Sequence, residues 1–338
     1  MDCDLWVNVL FILFFSRNGV RQMDVQNYII ENSYFPLHKT HFKTQKLFKE
    51  FNRGIVSYEE SGEVYVVAGD PVCSVKKNIP LVLDQFVRWA HSQGKYVCGY
   101  YFSEFVASQS KLLTSYQAGT TLENKLDEFS LSGKSSSEIR RALNYGERNN
   151  LLFKELSDKE YFEIFFELKY LESVWLRSRK SFKQIKFLLS SIKINSDQIS
   201  DRNFVVFDDN YKAIAFVSLD SFLEADGRKS YYLDHMLIGK SGYSLSLDYL
   251  IAKVLLTLKG EGKNKLDLGF CPFRGVKPTG FIEGSLYFSR HLKYLYNSNG
   301  IYNYKKKFSN NEKQVFLMLD PGYPNWKQLF RLATVTFR

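Results

Sequence analysis

The sequence predicts a mixed α/β (α+β) fold built as two consecutive units with mixed sheets, and three observations carry that expectation. The chain has 338 residues, more than one core usually spans, and a prior of roughly 150 residues per domain favours two. Apolar residues make up 45% of it, enough to fill real cores. Short strand-like segments alternate with amphipathic helical ones, and the order of elements after Ser157 repeats the order before it.

Residues 1–23 read as an N-terminal apolar extension. Leu5–Phe15 is almost continuously apolar but covers only about half of a bilayer-crossing helix. Asp2 and Asp4 stand where a secretory signal needs positive charge, so an exported leader is not expected, and Met23 is an alternative start. The alternative for this segment is an interfacial anchor, with Arg17 and Arg21 meeting an anionic lipid surface.

The first unit, 24–156, opens with strands near Gly54–Tyr58 and Glu63–Ala68. A helix from about Asn78 to Ser92 follows, because Ile79, Val82, Phe86 and Trp89 recur at spacings of three and four. Lys95–Phe102 reads as the next strand. Ser135 and Glu138 form an S-x-x-E capping box that starts a helix ending near Asn149, and Leu151–Leu156 reads as the closing strand.

The second unit, 157–322, opens on another capping box, Ser157 with Glu160, and an aromatic helix to about Trp175. Asn203–Phe207 and Lys212–Asp220 make a hairpin, and Lys229–Leu237 is a further strand. Leu247, Leu250, Ile251, Val254, Leu255 and Leu258 then define a long helix, and Lys265–Leu268 a buried strand. Tyr294–Leu319 reads as an aromatic hairpin-like segment, three lysines in extended chain and a strand. Residues 323–338 are left as a C-terminal tail.

Charge narrows the partners. The formal charge is +10, which favours RNA or an anionic lipid surface over acidic proteins. From Gly284 to Asn311 there is no Asp or Glu, while Arg290, Lys293, Lys305, Lys306 and Lys307 all fall there, so an anion is expected to dock nearby. Cys3, Cys73, Cys98 and Cys271 lack metal-ligand spacing, which excludes a zinc ribbon or a disulfide framework and fits a reducing cytoplasm. No metal site is expected.

Taken together, these segments resemble the cytosolic C-terminal domain of bacterial phosphatidylglycerol lysyltransferases and their alanyl relatives, a tandem GNAT-like fold. The matches run in order through VYVVAGDPV (Val64–Val72), LDEFSLSGKSSSEIRRALNYGERNNLLFKEL (Leu126–Leu156), ESVWLRSRK (Glu172–Lys180), YYLDHM (Tyr231–Met236), LDLGFCPF (Leu266–Phe273) and GIYNYKKKF (Gly300–Phe308). Two departures stand out. The family's multi-helix membrane flippase has no counterpart in this sequence, and Leu237 stands where the family's D-L-M-R strand carries arginine.

The resemblance implies an aminoacyltransferase that takes its amino acid from aminoacyl-tRNA as co-substrate, uses no other cofactor, and works in the cytoplasm or peripherally on the inner membrane face. Transfer from an already reactive ester needs chiefly positioning, plus a proton acceptor and donors aimed at a developing oxyanion. Asp234 is the implied acid/base. Strand alternation sends Asp234 and the adjacent His235 to opposite faces, so only one of them is expected to enter the site. Lys305 is the implied oxyanion or phosphate ligand, with Lys307 on the same strand face and Lys306 facing away. Tyr304, Arg177, Lys180, Arg140 and Arg141 complete the expected substrate-binding set.

Other readings stay open: aminoacyl transfer to a peptide or a small-metabolite amine, an acyl-CoA-dependent N-acyltransferase, or a non-catalytic RNA- or membrane-binding module. GKSGYS (Gly239–Ser244) sits where a CoA pyrophosphate turn belongs but lacks the expected glycine spacing, so acyl-CoA is weakly supported.

Overall fold

The computed structural model describes residue 28 and residues 32–34, 46–50, 53–178, 202–224, 226–239, 243–289 and 297–336. The N-terminal extension and Lys180 lie outside the described residues. The first half contains β1 (Lys46–Glu50), β2 (Gly54–Ser61), β3 (Val64–Ala68), β4 (Val72–Cys73), α1 (Ile79–Ser92), β5 (Tyr96–Ser103), α2 (Glu104–Gln109), β6 (Thr114–Lys125), α3 (Ser137–Arg148) and β7 (Leu152–Leu156). The second contains α4 (Asp158–Glu163), α5 (Phe165–Ser178), β8 (Arg202–Phe207), β9 (Ala213–Leu223), β10 (Lys229–Ile238), α6 (Ser246–Gly260), β11 (Lys265–Pro272), α7 (Phe281–Ser289), α8 (Ser298–Lys306), β12 (Asn311–Leu319) and α9 (Asn325–Thr336).

The expected mixed α/β class is the observed one. Its strands form a single 12-stranded sheet in the order β1-β2-β3-β5-β12-β6-β11-β10-β9-β8-β7, with β4 beside β2. Pairing is antiparallel except at β3–β5 and β10–β11, the two places where a helix (α1 or α6) returns the chain to the same direction. Three strands pair across the halves. β12 lies between β5 and β6, and β6 pairs β11, so the sheet is continuous through its centre. β7, expected to close the first unit, pairs β8 at the far edge instead.

Helices cover both faces. α6 packs Leu247, Leu250, Ile251, Val254, Leu255 and Leu258 against Phe204, Val206, Val217 and Leu233. The alternate strand residues Val205, Phe207, Phe216 and Leu237 face α4 and α5. In the first half, α1 buries Ile79, Val82, Leu83 and Phe86, each contributing about 1.5–3 kcal/mol by removal from water. Val64, Val66 and Tyr100 face the other way, toward Leu329, Leu332 and Val335 of α9 and Ile282 and Leu286 of α7. α3 meets α6 closely because Gly146 leaves room for Tyr249, whose ring lies 2.2 Å from where a Cβ would stand.

Three local expectations are corrected. The Ser157–Glu160 capping box is present, but Ser135 and Glu138 do not form one: α3 starts at Ser137, after Ser136, whose hydroxyl donates to Ser130 O at 2.5 Å instead. The stretch from Asn297 to Lys306 is the cap and body of α8, not extended chain, because the Asn297 side chain accepts from Gly300 N and starts a helix. The tail is also structured, as α9. Among the described residues no helix is long and apolar enough to cross a membrane.

Candidate active site

The site begins where two parallel strands part. β10 and β11 pair only at Tyr231–Leu266 and Tyr232–Asp267; beyond that, β10 follows β9 to Ile238 while β11 follows β6 to Pro272. Each strand is bulged at the split, β10 between Leu233 and His235 and β11 between Asp267 and Gly269. A bulge adds an unpaired residue and re-aims the side chains around it. The extra residue in β10 is Asp234.

That bulge overrides alternation. Asp234 Oδ2 lies 2.9 Å from His235 Nδ1, and both side chains are largely withdrawn from solvent. Nδ1 is also 2.8 Å from Ser218 Oγ, which in turn accepts from His235 N at 3.2 Å, so both partners fix the imidazole at Nδ1. The expectation that Asp234 and His235 point to opposite faces is therefore wrong. They form a carboxylate–imidazole pair.

Lys305 enters from the other side of the split. Gly269 has φ 91° and no Cβ; the Lys305 ammonium lies 3.0 Å and the Tyr232 hydroxyl 3.1 Å from where that Cβ would be. Lys305 Nζ also donates to Phe270 O at 3.5 Å. Beneath them, Asp267 Oδ1 accepts from Thr121 Oγ1 at 2.8 Å and from Gly269 N at 2.7 Å. Burial, reinforced by the nearby Glu123 carboxylate, pushes the Asp267 pKa up to about 6. Glu123 accepts from Lys265 at 2.8 Å and pairs Lys313 at 2.9 Å, so a buried ionic network backs this wall.

The three lysines do not alternate, because they end a helix, where successive residues are about 100° apart rather than 180°. Lys305 faces the split. Lys306 is exposed, 3.6 Å from Glu312. Lys307 pairs with Asp248 in the first turn of α6 and lies 4.4 Å over the Tyr304 ring, so it does not share a face with Lys305. The Tyr304 hydroxyl is buried beside Asp248; burial and then that carboxylate raise its pKa well above 10.0.

The arginines are dispersed. Arg140 donates to Leu131 O at 2.5 Å and Gly133 O at 2.7 Å, which pins the loop before α3. Arg141 is exposed on α3, and Arg177 is exposed at the end of α5 on the opposite sheet face. Gly239–Ser244 is described only at Gly239, Tyr243 and Ser244. Cys271 is buried and its thiol pKa is raised by burial, which disfavours a thiolate nucleophile. Sequence reasoning set aside His235 and passed over Tyr232, Asp267 and Gly269. The glycine inside the apolar strand LDLGF was the available signal, since such a glycine commonly marks a bulge or close approach.

Comparison with known proteins places the family and the fold. A family model described as "Phosphatidylglycerol lysyltransferase, C-terminal" matches residues 32–319. A phosphatidylglycerol lysyltransferase of Staphylococcus epidermidis is 24% identical over 297 residues, covering 85% of this chain and 34% of that protein. The chain thus spans about a third of the length of the curated relatives it matches. The L-PGS structure from Bacillus licheniformis superposes with a TM-score of 0.76 at 19% identity, covering 93% of this chain and 96% of that one. The C-terminal DUF2156 domain of a lysylphosphatidylglycerol synthetase from Agrobacterium fabrum gives 0.71 at 22%, covering 87% and 89%. At these identities the structures speak for the fold.

Proposed function

The chain belongs to the phosphatidylglycerol lysyltransferase C-terminal family, and on that premise we propose that it moves an aminoacyl group from aminoacyl-tRNA to a hydroxyl of an anionic phospholipid such as phosphatidylglycerol. The observation that carries this reading is the split between β10 and β11, with the Asp234–His235 pair on one strand and the Lys305 ammonium over the other. A base, a cation and an opening between strands are what the transfer needs.

In the proposed reaction the acceptor oxygen attacks the ester carbonyl carbon, and its proton passes to the Asp234–His235 pair. Lys305 and the Tyr232 hydroxyl face the oxyanion that forms on the carbonyl oxygen. The bond to the tRNA ribose then breaks, and the proton returns to the ribose oxygen as it leaves. The ester is already activated, so most of the acceleration comes from holding the two substrates together. The net charge of +10 supports tRNA as the donor and the inner membrane face as the workplace.

Purified protein incubated with a mixed pool of charged tRNAs and a total lipid extract is expected to yield phospholipid heavier by one aminoacyl group, seen by mass spectrometry. Products confined to peptides or amines would replace lipid as the acceptor. Modification driven by acyl-CoA without tRNA would overturn the reading.

A further inference from the structure

α7 and α9 lie on the same sheet face, since Ile282 and Leu286 of α7 and Leu329, Leu332 and Val335 of α9 pack into one core. A surface helix normally turns polar residues outward. These two do the reverse. Phe281 and Phe288 on α7 are 78% and 68% exposed, and Trp326 and Phe330 on α9 are 64% and 62% exposed. The outer stripe of α9 continues at Ala333, also exposed.

The surrounding charge is mostly positive. Residues 274–289 contain Arg274, Lys277 and a single acid, Glu283, and residues 321–336 contain Lys327 and Arg331 with no acid. Aromatic side chains raised among cations match an anionic bilayer, where rings enter the headgroup boundary and lysine or arginine meets phosphate. The same core also contains Tyr232 and packs Phe270, whose other sides border the split between β10 and β11. A lipid held against this face would sit beside the site.

We propose that the α7–α9 face is a membrane-docking surface that seats the protein on an anionic bilayer and delivers acceptor lipid to the split. The inference deepens the proposed activity and rests on it only for the delivery step; the docking itself is independent of any transfer.

Co-sedimentation with phosphatidylcholine vesicles, with and without phosphatidylglycerol, tests it on the full chain. Wild-type protein is expected to pellet only with the anionic vesicles. Trp326→Ser/Phe330→Ser and Phe281→Ser/Phe288→Ser should each weaken that binding by about tenfold or more, and Lys327→Glu/Arg331→Glu should do so most at low salt. Transfer to a water-soluble, short-chain phosphatidylglycerol by the same variants should stay near wild type, which controls for folding. Vesicle binding that depends on the face in a protein with no transfer to any lipid would sink the aminoacyl-transfer reading and leave the docking surface standing. Unchanged vesicle binding in all variants overturns the proposal. It also fails if deleting residues 1–27 abolishes binding while the face variants keep it, or if the variants alter only self-association in light scattering.

Discussion

Asp234 Oδ2 and His235 Nδ1 are 2.9 Å apart although the residues are neighbours on a strand, because the β10 bulge turns both toward one side. Asp234→Asn is expected to remove most aminoacyl transfer, roughly 10²–10⁴-fold, while leaving tRNA binding near wild type. The basic surface is untouched by that change. Full activity in Asp234→Asn, measured in single turnover with charged tRNA, would falsify the acid/base assignment.

The lysine trio separates three effects. Lys305→Ala should lose transfer and weaken tRNA binding, since it removes a charge at the split. Lys306→Ala should behave as wild type. Lys307→Ala should cost roughly 1–2 kcal/mol in chemical denaturation by stranding Asp248, with a smaller effect on transfer. Equal sensitivity at Lys305 and Lys306 would mean the helical placement of these residues is wrong.

Gly269→Ala is expected to be costly for two reasons. Its φ of 91° is a region that L residues avoid, and the new methyl would meet Lys305 Nζ at 3.0 Å and Tyr232 Oη at 3.1 Å. The backbone penalty alone is about 1–2 kcal/mol. Transfer should fall further than stability, because the methyl displaces the groups that face the oxyanion. A variant with normal turnover would show that neither group needs its present position.

Much of this was legible in the sequence, and the failures have physical causes. Long amphipathic runs such as Leu247–Leu258 declare a helix by period, and the Ser157–Glu160 capping box declares the start of α4. β6 (TSYQAGTTLENK) went unread because its outward and inward residues differ little in polarity, its pairing on both sides being set by β11 and β12. The lysine faces failed because a helix cap at Asn297 outweighed the extended look of an aromatic stretch. His235 failed because alternation holds only in regular strands, and the β10 bulge, unlike that at Gly269 in β11, carries no glycine to mark it.

Asp70 offers a pH test away from the site. It is buried and accepts from Ser103 Oγ at 2.5 Å and Ser103 N at 2.9 Å. Burial outweighs these bonds and raises its pKa from 3.8 to about 6. The folded state therefore holds the proton more tightly than the unfolded chain, so the stabilisation is full below 3.8 and disappears as pH rises through about 6. Relative to Asp70→Asn, wild-type protein should lose up to about 3 kcal/mol across that window. A melting-temperature difference that stays flat with pH would contradict the assignment.

The seat of β12 between β5 and β6 has a consequence for biogenesis. Both neighbours are synthesised long before Asn311–Leu319 leaves the ribosome, so the nascent chain carries two facing rows of open backbone groups until translation is nearly complete. Closure of the sheet is thus a late, long-range step, and an emerging chain halted before Asn311 exposes the edges on which chaperones or stray strands would act.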